Sequence, residues 1–331
     1  MDTPLPNIKY LTSKNINKKL WDECLQKSPV GIIYAKSWFL DNLHYEWEGV
    51  VDEQFDEKGN LYYASVMPVQ IHQKWGIRYV TQDAFAHELG VFSIYPEISQ
   101  QYVLKFIENA FKPYSYVAKY IFHTKHQYIP QLFETVKTHT TYHLKLDEKY
   151  EKLFQRYRED RRWNIRKAQR NKLVVRKSAN FDRLIALFKE NVAHKIEGIE
   201  EYQYETLKKL YHKSLEKGCS WLIEVVNLEN EILSMGWALI DNQKIIYMFS
   251  ASNSVGLKQG AATLALDALI KEYSNTDYIL DFEGGDNPNI GDFYKSFGGV
   301  ACNYYEVNIN RLPKWLNLVR DFYRKHIKQL T

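Results

Sequence analysis

One stretch of the chain, residues 244–299, restricts the fold most, because its residue pattern changes from strand to helix and back within a short distance. Residues 244–250 form a β-branched and aromatic run, which favours a buried or half-buried strand. Residues 251–259 contain the turn formers Ser252, Asn253, Ser254 and Gly256, which predict a loop. From Gly260 the apolar residues recur at helical spacing. The order strand, loop, helix predicts an α/β unit.

The glycine-bearing loop is a candidate phosphate site. A glycine loop that leads into a helix leaves backbone N–H groups unpaired at the positive end of the helix dipole, an arrangement that suits a phosphate group. Lys258 adds a positive charge beside it. Many strand-to-helix turns contain glycine and bind nothing, so a purely structural loop remains the alternative.

Two carboxylates follow this helix, in the predicted strand 278–285. Asp281 and Glu283 are two residues apart and would share one face, while Leu280 and Phe282 would fill the core. Adjacent carboxylates can raise the pKa of one of them towards neutrality, as a base for an ammonium substrate requires. The alternative is that both form salt bridges with a basic helix. A turn and a short helix, 289–299, complete the stretch.

These residues carry a resemblance to GNAT acyltransferases. Asn289, Phe293-Tyr294 and Phe297-Gly298 are similar to that family's N…FY…GF segment, with the last two residues in reverse order. The family's pyrophosphate-binding pattern is Q/R-x-x-G-x-G/A, and Gly260 and Ala262 fit it, while Leu257 replaces the Gln or Arg. The segments WDECLQKSPVGIIYAKSWFLDNL and RRWNIRKA resemble the bacterial FemAB-like branch of the superfamily.

The resemblance implies an α/β (α+β) chain with two tandem GNAT-type domains, each a mixed central sheet flanked by helices. The predicted limits are 1–145 for an N-terminal domain without a cofactor turn and 146–310 for a C-terminal domain with the acyl-CoA site. Residues 311–331 would form a C-terminal helix that packs back towards the N-terminal domain.

The implied activity is transfer of an acyl group from an acyl-CoA, such as acetyl-CoA, to an amine of a small molecule or cell-envelope precursor. Two alternatives stay open: an aminoacyl-tRNA-dependent peptidyltransferase acting on a peptidoglycan precursor, and a non-catalytic binding protein of the same fold. Tyr294 would protonate the leaving group, and Asp281 or Glu283 would be the base. Tyr247, Arg162 and Arg166 are the candidates for binding substrate. The candidate cofactor-binding residues are Met248, Phe249, Ser250, Gly256, Leu257, Lys258, Gln259, Gly260, Ala261, Ala262 and Asn289.

A basic stretch, residues 150–177, begins the second half of the chain. Leu153, Tyr157, Ile165 and Ala168 give it an apolar stripe at helical spacing, and arginines and lysines cover the other faces. Three interpretations fit. The first is a solvated helix face, and the second is contact with an acidic partner such as a CoA phosphate, a phospholipid head group or a lipid-linked sugar diphosphate. The third is contact with the backbone phosphates of a tRNA.

Composition restricts the class of protein further. The chain has 331 residues with 45% hydrophobic and 25% charged residues, which indicates a folded globular protein rather than a disordered one. It shows no signal peptide and no apolar run long enough to span a bilayer, so we expect a cytoplasmic location. Cys24, Cys219 and Cys302 are isolated and are expected to be buried thiols. His123 and His126 lack companions at ligand spacing, and no metal is assigned.

Overall fold

A computed structural model describes residues 6–74, 76–195 and 199–318. It shows the expected α/β architecture. The strands are β1 (Ile8–Thr12), β2 (Glu46–Phe55), β3 (Leu61–Lys74), β4 (Ile77–Thr81), β5 (Phe92–Ser93), β6 (Tyr116–Phe122), β7 (Val136–Lys145), β8 (Val174–Lys177), β9 (Ser220–Val226), β10 (Ile232–Asp241), β11 (Lys244–Ser252), β12 (Ile279–Asp281) and β13 (Val300–Asn310). The helices are α1 (Lys18–Lys27), α2 (Ser37–Leu40), α3 (Gln100–Phe111), α4 (Ile129–Leu132), α5 (Tyr150–Arg156), α6 (Glu159–Arg170), α7 (Phe181–Asn191), α8 (Glu201–Glu216), α9 (Ser254–Gln259), α10 (Ala261–Glu272) and α11 (Pro288–Lys295).

The chain divides into two compact units. Within the described residues, unit 1 comprises 6–30, 45–137 and 305–318, and unit 2 comprises 31–44 and 138–304. Each unit is thus assembled from separate stretches of chain, whereas the sequence analysis divides the chain at single points, 145/146 and 310/311. That division into domains stays a prediction. Of the predicted C-terminal helix, residues 314–318 are helical, and the remainder lies outside the described residues.

Unit 1 is a mixed sheet with helices α1 and α3 packed on it. Its strands lie in the order β1-β2-β3-β4-β6, followed by residues 305–310 of β13, and β5 pairs with β3. Neighbours are antiparallel except for β4 and β6. Helix α1 begins where the side chain of Asn17 accepts a hydrogen bond from the Leu20 N–H, and it buries Trp21 and Cys24. Its buried residues lie on one face, so α1 is an amphipathic helix.

Unit 2 contains parallel and antiparallel strands in the order β7-β12-β11-β10-β9-β8. Its pairs are antiparallel except for β11 and β12, which run parallel. Helix α10 packs on β9, β10 and β11, and α6 packs against α10. Leu266 and Leu269 of α10 share a fully buried core with Leu280 and Phe282, as predicted for the last two. This core fixes the ends of β11 and β12 relative to the first turn of α10. Cys302 of β13 lies outside it and is half-buried, not buried as expected.

The basic stretch 150–177 is not one helix. The chain leaves helical geometry at Tyr157, and the N–H of Arg158 donates to the carbonyl of Ser296 at 2.8 Å. The Arg158 side chain pairs with Asp160 and Asp292, each at 2.8 Å, so tertiary contacts decide the break. The stretch ends in strand β8. Among the described residues, no helix combines the length and the apolar composition that a membrane crossing needs.

Candidate active site

Strand β11 parts from its parallel neighbour β12 after a short paired segment. Residues 244–246 of β11 pair with residues 279–281 of β12. The chain then turns away from β11, because the N–H of Phe282 donates to the carbonyl of Tyr142 on β7 at 3.0 Å. Within the described ranges, no strand pairs with this side of β11 beyond Ile246. Backbone groups of residues 247–250 are therefore presented at an open notch between the two strands.

A β-bulge lies at the same position. Trp237 of β10 pairs with Phe249 and Leu239 pairs with Ile246, so Ala238 alone stands opposite Tyr247 and Met248. Bulges twist a strand and redirect its side chains. The bulge and the separation of β12 together make residues 247–250 an irregular segment of the sheet, a common property of binding sites.

The side chains of this segment are held from several directions. The ring of Tyr247 covers Gly236 on β10, where a Cβ atom would meet the Tyr247 hydroxyl at 2.6 Å, and its hydroxyl hydrogen-bonds the Ser250 side chain. Burial raises the pKa of Tyr247 to about 12. The Met248 sulfur accepts a hydrogen bond from the Tyr34 hydroxyl at 3.7 Å. Phe249 packs against Phe188 of α7, with ring centroids 4.5 Å apart.

The glycine segment is helical rather than a loop. Asn253 caps α9, accepting the N–H of Gly256 on its side-chain oxygen at 2.7 Å, so this amide is used within the protein. Gly260 ends α9 in the left-handed conformation, with φ of +85°. A Cβ atom there would lie 2.5 Å from the carbonyl oxygen of Asn164 on α6, and one at Gly256 would meet the carbonyl of Leu233. Helix packing therefore requires both glycines.

The first turn of α10 retains a feature expected of an anion site. No side chain caps this helix, so its first N–H groups, from Ala261 onward, are not satisfied by a capping residue. Ala261 is fully buried and Ala262 is half-buried. Arg161 reaches this turn from α6, with one guanidinium nitrogen 3.4 Å from the Thr263 hydroxyl oxygen.

The remaining predicted cofactor residues surround this turn or lie apart from it. Leu257 and Lys258 are exposed on α9, and Gln259 is half-buried. Asn289 is exposed in the first turn of α11, where its N–H donates to the Asn287 side chain at 3.0 Å. The structure thus places α9 and the start of α10 together, while Asn289 lies on a different helix.

Asp281 lies in a buried hydrogen-bonded ion pair with His143. The Oδ2 atom of Asp281 is 3.0 Å from Nε2 of His143 on β7, the residue directly opposite in the sheet. The Oδ1 atom accepts from the Thr141 hydroxyl at 2.6 Å and from the Glu283 N–H at 3.0 Å. Burial opposes both charges, but the pair outweighs it: the pKa of His143 rises to about 10 and that of Asp281 falls below its usual 3.8. The alternative of a salt bridge to the basic helix is wrong for Asp281.

Glu283 and Asp281 do not share a strand face as predicted. Strand β12 ends at Asp281, and Glu283 adopts a left-handed backbone with φ of +54°, which interrupts the alternation of side chains. Burial raises the pKa of Glu283 well above its usual 4.5. The predicted direction of the shift is right for Glu283, but the cause is loss of water rather than the neighbouring Asp281.

Tyr294 lies near Glu283 and Tyr247. Its ring stacks on Phe282 with centroids 4.9 Å apart, which fixes it beneath the end of β12. Burial, followed by the charges of Tyr247, Glu283 and Asp281, raises the pKa of Tyr294. The phenol is therefore fully protonated at neutral pH, and the neighbouring Glu283 carboxyl binds a proton more tightly than an ordinary glutamate does. The arrangement supplies one proton donor and one proton acceptor.

The two predicted substrate-binding arginines belong to a row on α6. Arg162, Arg166 and Arg170 follow one another at four-residue intervals and so lie along one face of the helix. Within the described residues, none of the three makes an ion pair, and the Nε of Arg162 is buried without a hydrogen-bond partner. Their neighbours Arg158 and Arg161 are paired with carboxylates. Only part of the basic stretch is thus neutralised within the protein.

Sequence reasoning missed His143, Thr141 and Arg161 as site residues. Nothing local in the sequence marks His143 as the partner of a carboxylate far along the chain. Arg161 was one of many basic residues, and its contact with Thr263 depends on how α6 packs against α10. Finding these residues requires the register between distant strands and the packing of helices, neither of which a local sequence pattern reveals.

The His143–Asp281 pair should make stability depend on pH. Because the pKa of His143 is raised, its contribution is complete below the usual value of 6.5 and is lost as pH rises through about 10. Because the pKa of Asp281 is lowered, its contribution is complete above 3.8 and is lost at lower pH. We expect Asp281→Asn to reduce the free energy of unfolding by about 2 kcal/mol near pH 5.5, and less above pH 10.

Denaturant unfolding at the two pH values measures this effect. The exposed residue Asp277, just before β12, provides the matched control, since Asp277→Asn should change stability by less than about 0.5 kcal/mol at either pH. Equal losses for Asp281→Asn at both pH values would contradict the ion-pair explanation.

Comparison with known proteins identifies the fold. No protein-family model matches the sequence, and no curated protein matches it. Among solved structures, the chain is similar to FemX, with a TM-score of 0.66 and 11% identity over 96% of this chain and 99% of that one. It is also similar to a conserved protein of unknown function from Bacteroides thetaiotaomicron (TM-score 0.55, 10% identity, 92% and 100% of the two chains). A third similar structure is L-PGS from Bacillus licheniformis (TM-score 0.51, 12% identity, 92% and 95%). The chain has the GNAT-like acyltransferase fold.

Proposed function

We propose that the protein is an acyltransferase of the FemAB-like type, in which unit 2 transfers an acyl group to an amine. The observation that carries the proposal is the notch between β11 and β12, with Tyr294 and Glu283 beside it. Free backbone N–H groups at a strand edge can pair with an extended, amide-bearing acyl donor, as in strand addition. The same groups can stabilise the oxyanion that forms when the amine attacks the carbonyl, an effect typically worth about 10²–10³ in rate.

The side chains divide the chemistry between them. Glu283 accepts the proton of the attacking ammonium group, because burial raises the pKa of its carboxyl and so makes its carboxylate a stronger base. Tyr294 gives its proton to the departing thiolate or alkoxide. Asp281 is held as an anion by His143 and Thr141, so it positions the end of β12 rather than acting as the base.

The proposed donor is an acyl-CoA with its pyrophosphate at the first turn of α10. The uncapped amides of this turn favour an anion, and Arg161, which also pairs with Asp160, lies beside them. A large residue at Gly260 would disturb the contact with Asn164, so Ala262 is the better position for a test. We expect Ala262→Asp to weaken binding of CoA and acetyl-CoA by about tenfold or more, because a carboxylate would face the phosphates. A negative charge in this first turn also favours the helix itself, so the fold should be preserved.

Calorimetric titration measures this binding. Ala262→Asn is the matched control, since it has the same shape without the charge and should bind within about twofold of the natural protein. If neither CoA nor acetyl-CoA binds the natural protein, CoA is not the donor. Equal binding of CoA by the Asp and Asn variants would show that the pyrophosphate does not bind at the first turn of α10.

A second donor, an aminoacyl-tRNA, is favoured by the unpaired row Arg162, Arg166 and Arg170. Phosphate contacts by such a row produce binding that weakens with salt. Replacing all three with Gln should lower tRNA affinity and reduce the slope of log affinity against log salt by about two to three. The control replaces Lys152, Lys208 and Lys213, which already have carboxylate partners. If the two triple variants bind tRNA alike, this row is not a tRNA surface.

A further inference from the structure

An apolar groove lies in unit 1, between helix α3 and the ends of α4 and β13. Its volume is about 430 Å³, within the range of small-molecule sites in proteins. Ile107 and Phe111 of α3 line it together with Leu132, Phe133 and Ile309, and the last three are only half-buried. Unit 1 therefore leaves an apolar groove open at its surface, away from the residues proposed for acyl transfer in unit 2.

Basic side chains without acidic partners stand at this groove. Lys112 at the end of α3 and Arg311 after β13 line it, and both are exposed. Lys314, which follows shortly after Arg311, is exposed as well. Within the part of the chain that the structure describes, none of these three side chains forms an ion pair. Glu108 is the one acidic side chain among the described residues that line the groove, so positive charge prevails there.

The helical residues 314–318 add exposed apolar side chains at the edge of the groove. Asn317 ties this turn to the end of β13, because its Oδ1 accepts a hydrogen bond from Nδ2 of Asn310 at 2.8 Å and its Nδ2 donates to the carbonyl of Leu312 at 3.1 Å. The residues on either side of Asn310 line the groove. Trp315 and Leu318 are 64% and 72% exposed, which places them among the most exposed large apolar side chains of the described residues.

This combination of features fits an anionic lipid surface better than the other partners a basic surface can have. Tryptophan is enriched at membrane interfaces, where its ring lies at the level of the head groups, and neighbouring lysines and arginines are attracted to anionic lipids. A nucleic acid would use the positive charges but would leave the apolar groove empty. A second copy of this chain, docked through the same surface, would bring like charges together. Only a lipid bilayer offers both an anionic surface and apolar chains.

We propose that unit 1 docks on an anionic phospholipid bilayer through a docking surface made of the groove with Lys112, Arg311, Lys314, Trp315 and Leu318. The two apolar side chains enter the boundary between head groups and acyl chains, and the three cations contact lipid phosphates. The groove takes up an acyl chain of one lipid. The binding is peripheral, and it does not depend on the activity proposed for unit 2.

Sedimentation of the full chain with sucrose-loaded vesicles tests the proposal. We expect binding to vesicles of equimolar phosphatidylcholine and phosphatidylglycerol, and much weaker binding to phosphatidylcholine alone. Combining Trp315→Ser with Leu318→Ser should weaken binding to the mixed vesicles about tenfold or more, because less apolar surface enters the bilayer. The control combines Phe55→Ser with Leu228→Ser, which remove side chains that are 64% and 63% exposed elsewhere, and it should bind within about twofold of the natural protein.

Two results of this experiment would overturn the proposal. One is equal binding of the natural protein to the two kinds of vesicle, or binding to neither. The other is equal binding of the two double-serine variants to the mixed vesicles. If gel filtration shows a dimer that only the variant of Trp315 and Leu318 dissociates, and the natural protein ignores vesicles, the surface joins two copies of this chain instead.

The contribution of the positive charges is measured with two triple variants. Replacing Lys112, Arg311 and Lys314 with Gln should weaken binding to the mixed vesicles about tenfold or more. The control removes the same net charge from exposed positions of unit 1 outside the docking surface, by replacing Lys14, Lys58 and Lys125 with Gln. If the two triple variants bind the mixed vesicles alike, the attraction comes from the overall charge of the protein, and the docking surface is wrong.

The groove is tested by placing a carboxylate inside it or beside it. Leu132→Glu puts the charge on the wall of the groove, whereas Gln131→Glu puts it on the neighbouring exposed position of α4. Both variants lower the net charge equally, so they differ only in what they do to the groove. Because an acyl chain cannot pack against a carboxylate, Leu132→Glu should bind the mixed vesicles about tenfold more weakly than Gln131→Glu. Equal binding would overturn the uptake of an acyl chain by the groove.

Discussion

Replacing Tyr294 with phenylalanine should slow acyl transfer by about 10²–10⁴-fold, the range expected for loss of a general acid. The phenol is the proton donor beside the notch, and its raised pKa means that it is fully protonated at neutral pH and available to the leaving group. The phenylalanine ring keeps the stacking on Phe282. The melting temperature of Tyr294→Phe should therefore stay close to that of the natural protein. The loss of activity should appear in kcat rather than in the affinity for the donor.

The measurement is kcat for release of the donor's thiol, or of deacylated tRNA, with a saturating amine acceptor. Tyr278→Phe is the matched control, because Tyr278 belongs to unit 2 and stacks edge-on with Tyr273, outside the notch. It should leave kcat within about twofold of the natural value. If Tyr294→Phe reduces kcat no more than the control, Tyr294 only packs beneath β12, and the acid must be sought elsewhere.

Local sequence pattern was sufficient for the elements around the notch. The β-branched run of β11, the helical spacing of α10 and the short helix α11 are each set by residues close together in the chain, and all three predictions are confirmed. The predicted strand 278–285 was too long. After Asp281 the chain leaves β11, because the N–H of Phe282 donates a hydrogen bond to the carbonyl of Tyr142 on β7. Where a strand ends depends on its partner, which a local pattern does not reveal.

The chemistry of the two carboxylates shows the same limit. Their spacing predicted a shared face and mutual repulsion, which would raise one pKa. In the structure, a left-handed residue separates them, His143 lowers the pKa of Asp281, and burial raises that of Glu283. Glycines 256 and 260 are a second case, since the sequence marked them as a ligand loop and the structure shows that helix packing also requires them. Residue type identified the positions, and tertiary contacts determined what each one does.

Replacing Glu283 with glutamine should abolish the base and slow transfer by about 10²–10⁴-fold, while making the folded protein less sensitive to high pH. The direction of this pKa shift determines how stability depends on pH. A buried carboxyl contributes its full stability below the usual pKa of 4.5, where it is neutral, and this contribution is lost as pH rises through the raised value. The natural protein should therefore become less stable than Glu283→Gln as pH rises, because glutamine never acquires the buried charge.

Activity should show the opposite dependence, since a base works only when it is deprotonated. The natural enzyme should gain activity as pH rises through the raised pKa of Glu283, and Glu283→Gln should lose that limb of the profile. Glu229→Gln, in an exposed turn of unit 2, is the control and should leave both the pH–rate profile and the stability curve unchanged.

The profile also distinguishes Glu283 from Asp281 as the base. His143 keeps the pKa of Asp281 below its usual value, so a reaction that depended on Asp281 would already be at its plateau at mildly acidic pH. A rate that continues to rise with pH above that plateau in the natural enzyme, and not in Glu283→Gln, is the expected result. A rising limb that survives in Glu283→Gln would assign the titration to another group and remove Glu283 from the mechanism. We therefore expect Glu283→Gln to be more stable than the natural protein at high pH and to be inactive. That combination is expected of a buried carboxyl whose charge destabilises the fold but is needed for the reaction.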